Sequence, residues 1–128
     1  MPWTYEQSTG YLYHDGVYEG IGYAGHGAGL NNPAMQGVHD VGPLPVGLYT
    51  MEAPFDHPHC GRYSIRLTPD PANDMRGRDG FYIHGDNQAL NRSASNGCIV
   101  APIAVRTHVW ASGDHELRVI PGPSPRST

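Results

Sequence analysis

The stretch Gly80-Phe-Tyr-Ile-His84-Gly85-Asp86-Asn-Gln-Ala-Leu-Asn-Arg92-Ser-Ala-Ser95-Asn96-Gly97-Cys98-Ile-Val100 holds two apolar runs joined by a polar loop. Phe81 to Ile83 reads as a strand ending on His84, and Cys98 follows fourteen positions later, between Gly97 and the pair Ile99-Val100. A cysteine is a useful nucleophile only as its thiolate, so a catalytic Cys needs a base or an electropositive neighbour. If the two runs are neighbouring strands, His84 and Cys98 meet at one rim of a sheet. Gly85 and Gly97 allow close backbone approach on either side of the pair. Ser95-Asn96-Gly97 is suited to presenting N–H groups as an oxyanion hole. The plainer reading is a buried structural thiol beside an unrelated histidine, since free Cys is among the most buried residue types.

Outward from that stretch, the chain reads as short strands and turns. Trp3 to Gln7 alternates large and polar residues, as a first strand would. Tyr11 to His14 and Val17 to Tyr23 flank Asp15-Gly16, a favoured hairpin turn, so a β-meander is expected at the start. Gly25 to Pro45 has no strand or helix period and reads as a long ordered loop. Gly42-Pro-Leu-Pro-Val-Gly47 leads into a strand at Leu48 to Glu52, and Ala53 to Gly61 reads as loop again. Arg62 to Thr68 alternates cleanly, Pro69 to Asp79 is rich in turns, and His115 to Ile120 reads as a last strand. The only helix expected is Ala101 to Ala111, with Pro102 in its first turn and Gly113 at its end.

The totals fit one mainly β domain over residues 1–120 with a Pro/Ser-rich tail at 121–128: the 128 residues include 17 Gly, 12 Pro and 8 Tyr. Net charge is −4 and all eight basic side chains are Arg, with no basic run, which argues against nucleic acid as a partner. The absence of Lys removes Schiff-base catalysis and phosphate-loop lysines. No apolar run is long enough to span a membrane. Met1 to Glu6 lacks the basic and apolar regions of a signal peptide, so no self-encoded export is expected.

His57-Pro58-His59-Cys60 has zinc-like letters, but its spacing is unfamiliar and a fourth ligand would have to come from afar, so neither metal nor cofactor is expected. A Cys60–Cys98 disulfide is possible in an oxidising compartment, where it would silence the thiol. The His26 to Gln36 loop, Asn32 included, lines a substrate groove or merely covers a sheet edge. Asp86 tunes His84, binds a substrate amine, or caps a turn.

His84-Gly85, a polar spacer, then Ser95-Asn96-Gly97-Cys98-Ile99 resembles the L,D-transpeptidase catalytic domain, and more closely the branch found among type VI secretion L,D-transpeptidase effectors. Tyr11-Leu-Tyr-His-Asp-Gly16, Gly22-Tyr-Ala-Gly-His-Gly27, Asn31-Asn-Pro-Ala-Met35, Gly42 to Tyr49 and Phe81 to Asp86 extend the likeness over nearly the whole chain. It implies a mainly β sandwich or barrel with one short helix after the cysteine, acting on peptidoglycan stem peptides. Cys98 would be the nucleophile, His84 the base and later the acid, and Gly85 the carbonyl that orients the imidazole. N–H groups around Gly97 and Cys98 would form the oxyanion hole, with Ser95 and Asn96 beside the substrate. Such an effector is made in the bacterial cytoplasm, acts in the periplasm of a rival cell, and is neutralised in its producer by an immunity protein.

Two departures stand out. Asn96 replaces the histidine common between Ser and Gly in this family, and Val100 stands where many members carry Arg. Substrate-carboxylate recognition then falls to Arg92, with Arg78 second. The same departures keep a second function open, a catalytically silent binding module for cell-wall fragments. A zinc-stabilised structural domain is a third.

Overall fold

Tyr5 and Trp3 are fully buried on β1 (Trp3–Glu6), which lies between two partners in the sheet. On one side it runs antiparallel to β2 (Tyr11–His14), which turns through Asp15 and Gly16 into β3 (Val17–Ile21). Both turn residues have positive φ, 53° and 79°, the geometry the Asp-Gly pair predicts for a two-residue hairpin. On its other side β1 runs parallel to the last strand, β10 (Glu116–Ile120). The computed structural model describes residues 2–86 and 94–122.

The remaining strands are β4 (Tyr23–Ala24), β5 (Gly47–Met51), β6 (Phe55–His57), β7 (Gly61–Pro69), β8 (Phe81–His84) and β9 (Ile99–Val100). One sheet runs in the order β3-β2-β1-β10-β5-β7-β8-β9-β4, with β6 hairpinned on β7. Its two ends, β3 and β4, are separated in sequence by Gly22 alone, so the sheet bends into a nearly closed barrel. At the closure the Gly22 N–H donates to the Gly10 carbonyl at 2.8 Å. A Cβ on Gly10 (φ +80°) would stand 1.9 Å from the Gly22 oxygen, so only glycine fits.

Leu12, Tyr49, Ile65, Leu67, Ile83, Ile99, Leu117 and Val119 fill the core, joined by Leu44 from the long loop. The single helix among the described residues, α1 (Ile103–Ala111), begins just after Pro102 and is followed by Gly113 at φ +82°. Its Arg106, buried on the inner face, donates to the carbonyls of Arg62, Tyr63 and Ala101, tying the helix to β7 and to the end of β9. No helix among the described residues is long and apolar enough to cross a membrane.

The mainly β fold with one helix after Cys98 is as expected. Two local readings change. The loop expected at Ala53 to Gly61 contains β6, whose three residues are bracketed by Pro54 and Pro58 and lie largely exposed, so no alternation marks it. The single strand expected at Val17 to Tyr23 breaks at Gly22, where the barrel closes. The long loop carries two short 3₁₀ turns, Gly27–Gly29 and Pro33–Met35.

Gly10→Ala should cost roughly 2–4 kcal/mol, because it adds a clash to an unfavourable φ. Gly16→Ala, whose Cβ meets nothing within 4 Å, should cost only about 1–2 kcal/mol. Urea denaturation of the two variants reads the difference, and equal losses would contradict the tight closure.

Candidate active site

β8 and β9 are adjacent and parallel, with Ile83 opposite Ile99 and His84 opposite Val100. Ile83 and Ile99 are fully buried in the core. Side chains alternate along a strand, so Tyr82 and His84 face the other way. Cys98, opposite Tyr82, shares that face. His84 and Cys98 are thus diagonal neighbours on adjacent parallel strands. Among the described residues no hydrogen bond joins imidazole to thiol.

The imidazole is oriented from behind. His84 Nδ1–H donates to the Gly85 carbonyl at 2.7 Å, which leaves the lone pair on Nε2. Burial holds the His84 pKa below its ordinary value, the Gly85 hydrogen bond opposes this, Arg106 and His57 add to the lowering, and Asp86 offsets it. At neutral pH the ring is an uncharged base.

The thiol is uncharged as well. Burial pushes the Cys98 pKa up to about 11, while the Tyr82 N–H and the Arg78 guanidinium pull it down. That N–H points at Sγ from 3.4 Å, and Cys98's own N–H also faces the sulfur. A thiol and a neutral imidazole suit proton transfer that accompanies attack, rather than a preformed ion pair.

The loop that presents Cys98 is held by three side chains. Ser95, fully buried, donates from Oγ to the Cys98 carbonyl at 2.6 Å and accepts from the N–H groups of Gly25 and Gly97 at 2.8 and 3.0 Å. His26 Nδ1 donates to the Ser95 carbonyl at 2.8 Å. Arg78, also buried, donates to the carbonyls of Gln36, Gly42, Pro43 and Asn96 at 2.6 to 3.0 Å. Its guanidinium lies 5.1 Å from the Phe81 ring centre. Gly97 sits at φ +139°, where a Cβ would stand 2.5 Å from an Arg78 nitrogen and 2.7 Å from the Phe81 ring. Glycine is required there by both conformation and space.

The structure assigns several expected site residues different work. The Ser95 hydroxyl is buried and spent on the loop, so it does not face a substrate. The Gly97 N–H is taken by Ser95, which leaves the N–H groups of Cys98 and Tyr82 as the donors facing the sulfur. Arg78 spends both terminal nitrogens on backbone carbonyls, which leaves no terminal N–H to read a substrate carboxylate. Asn32 is half-buried and spans its own turn, accepting from Ala34 N–H at 3.1 Å and donating to Ala28 at 3.0 Å. Asn96 is exposed beside Cys98, and Asp86 is exposed and accepts from the Tyr23 hydroxyl at 2.7 Å. Arg92 lies outside the described residues. Sequence reasoning missed Tyr82, whose place two residues before His84 puts it on the same face, and His26, within a Gly-His-Gly run.

His57 sits over Tyr82, with ring centres 4.9 Å apart, and its Nδ1 accepts from the N–H groups of His59 and Cys60. Among the described residues no group of three or more His, Cys, Asp or Glu side chains could hold a metal ion. Cys60 and Cys98 are both free thiols, so the disulfide considered above is not formed.

A small, nearly closed β domain thus presents a cysteine and an oriented histidine on one face of adjacent strands. Residues 19–118 match the family model described as the Tlde1 domain, and the chain belongs to that family of type VI secretion effectors. No curated protein and no solved structure matches the chain.

Arg78→Lys retains the charge but cannot span four carbonyls. It should lower unfolding stability by roughly 2–4 kcal/mol. It should also slow alkylation of Cys98 at pH 8.5 several-fold, read by peptide-resolved mass spectrometry. An unchanged alkylation rate would show that Arg78 neither places nor polarises the thiol.

Proposed function

We propose that this domain is a cysteine acyltransferase toxin that attacks peptidoglycan tetrapeptide stems, as an L,D-transpeptidase or L,D-carboxypeptidase. The observation that carries the reading is the oriented His84, its Nδ1 bound to Gly85, on the same sheet face as Cys98. Membership of a type VI secretion effector family supports delivery into the periplasm of a rival bacterium, and an immunity protein in the producer.

In this reading the Cys98 proton passes to His84 Nε2 as Sγ attacks the carbonyl that joins the L-centre of the diamino acid to the terminal D-Ala. The N–H groups of Cys98 and Tyr82 receive the developing oxyanion. The C–N bond then breaks, His84 returns the proton to the departing amine, and a thioester remains on Cys98. An amine resolves it by transpeptidation or exchange, or water resolves it by hydrolysis. A high thiol pKa is compatible with this route because the proton leaves as the C–S bond forms. The same high pKa, with no imidazole–thiol hydrogen bond, favours a second reading, a silent module that holds cell-wall peptides.

Tetrapeptide-rich muropeptides incubated with the protein separate the two. Mass spectrometry should show loss or exchange of the terminal D-Ala, reduced at least about 10³-fold by Cys98→Ala and about 10²–10⁴-fold by His84→Gln. No mass change would leave the binding module. The pH profile adds a check of sign. His84 must be neutral to accept the proton, and its pKa lies below the ordinary 6.5. The acid limb of the activity profile should therefore be centred below 6.5. An acid limb centred above 6.5 would contradict the role given to a buried His84.

A further inference from the structure

Between the β6–β7 hairpin and α1 lies a cleft of about 360 Å³, lined by Asp56, Arg62, Tyr63, Ile103 and Arg106. Neither His84 nor Cys98 lines it. Phe55 and His57 lie against Tyr82, the neighbour of the thiol, with ring centres 6.0 and 4.9 Å away. Asp56, between them, lines the cleft instead.

Two cations share this cleft. Arg106 is buried, yet among the described residues no carboxylate lies within ion-pair distance of Arg106 or Arg62. A buried guanidinium without a counter-charge is costly. Three of its five N–H groups donate to carbonyls, from Nε to Tyr63 at 3.1 Å and from the terminal nitrogens to Arg62 at 3.2 Å and to Ala101. One N–H on each terminal nitrogen is left over. Turning the Arg62 and Tyr63 carbonyls onto one guanidinium holds Tyr63 at φ +55°, a left-handed conformation that bulky residues rarely adopt. Such backbone strain clusters at ligand sites. The Asp56 carboxylate does not neutralise either arginine, because its Oδ1 accepts the Tyr63 N–H at 3.3 Å.

Two arginines and one aspartate give the lining a net charge of +1, which one monoanion cancels. A planar carboxylate matches the donor fork of a guanidinium, and Ile103, which is exposed, adds an apolar wall. We infer that this cleft binds a monocarboxylate with a short aliphatic tail, its carboxylate on Arg106 and Arg62 and its tail against Ile103. The site stands apart from the reaction proposed at Cys98 and does not require it. The carboxylate comes from a free acid or from the end of a peptide.

The test is an NMR titration of the full chain with butyrate at constant ionic strength, with butyramide as the uncharged counterpart. Butyrate should bind in the millimolar range and at least about fivefold more tightly than butyramide. Arg106 is left in place because it holds the fold, and the variants change the other two charges in opposite directions. Arg62→Gln should weaken butyrate several-fold. Asp56→Asn, which keeps an oxygen for the Tyr63 N–H, should tighten it several-fold. Nα-acetyl-alanyl-alanine binding more tightly than butyrate would assign the site to a peptide terminus, and weaker binding would assign it to a free acid. No butyrate binding at tens of millimolar, or equal affinity for butyramide, would overturn the site. Binding that neither variant alters would mean an adventitious ion only, and would overturn it as well.

Discussion

The parallel pairing of β8 with β9 is the constraint on which the site depends. Because Ile83 and Ile99 are both committed to the core, the register cannot slip by one residue without driving two large apolar side chains to the surface. That commitment, made on the inner face, puts His84 and Cys98 on the outer one. β9 is only two residues long, so it cannot hold its own position by ladder bonds. Ser95 and Arg78 hold it from the N-terminal side, and Arg106 anchors its C-terminal side through the Ala101 carbonyl.

Arg78 does two kinds of work in this arrangement. Burying a guanidinium is costly unless its donors are met, and four carbonyls meet the four terminal N–H groups. The same charge then lies close enough to Cys98 to counter part of the desolvation that raises the thiol pKa. The long loop from Gly25 to Pro45 supplies three of the four carbonyls, so its backbone serves the nucleophile directly. Much of what reads as irregular chain is a scaffold for one turn.

The hairpin at Asp15-Gly16, the alternating β7, the helix after Pro102 and the run ending on His84 were all legible, because each depends on neighbours within a few residues. The role of the Gly85 carbonyl came from the family resemblance rather than from any local pattern. Other features depended on partners far apart in sequence. Ser95 looks like a polar residue beside a substrate until Gly25 and Gly97 are seen to use its hydroxyl. Arg78 looks like a free surface cation until the loop folds over it. The Tyr82 N–H becomes a donor to sulfur only through the β8–β9 register, which no local pattern prints. β6 escaped because three exposed residues between prolines carry no period.

The proposed mechanism turns on a covalent bond at one atom. Rapid acid quenching of the protein with a tetrapeptide stem, followed by intact and peptide-resolved mass spectrometry, looks for that bond. The predicted result is an adduct on Cys98 with the mass of the acyl stem lacking its terminal D-Ala, released by hydroxylamine and absent in Cys98→Ala. Steady conversion of the stem with no adduct on Cys98, or with the adduct on Cys60, would contradict the mechanism.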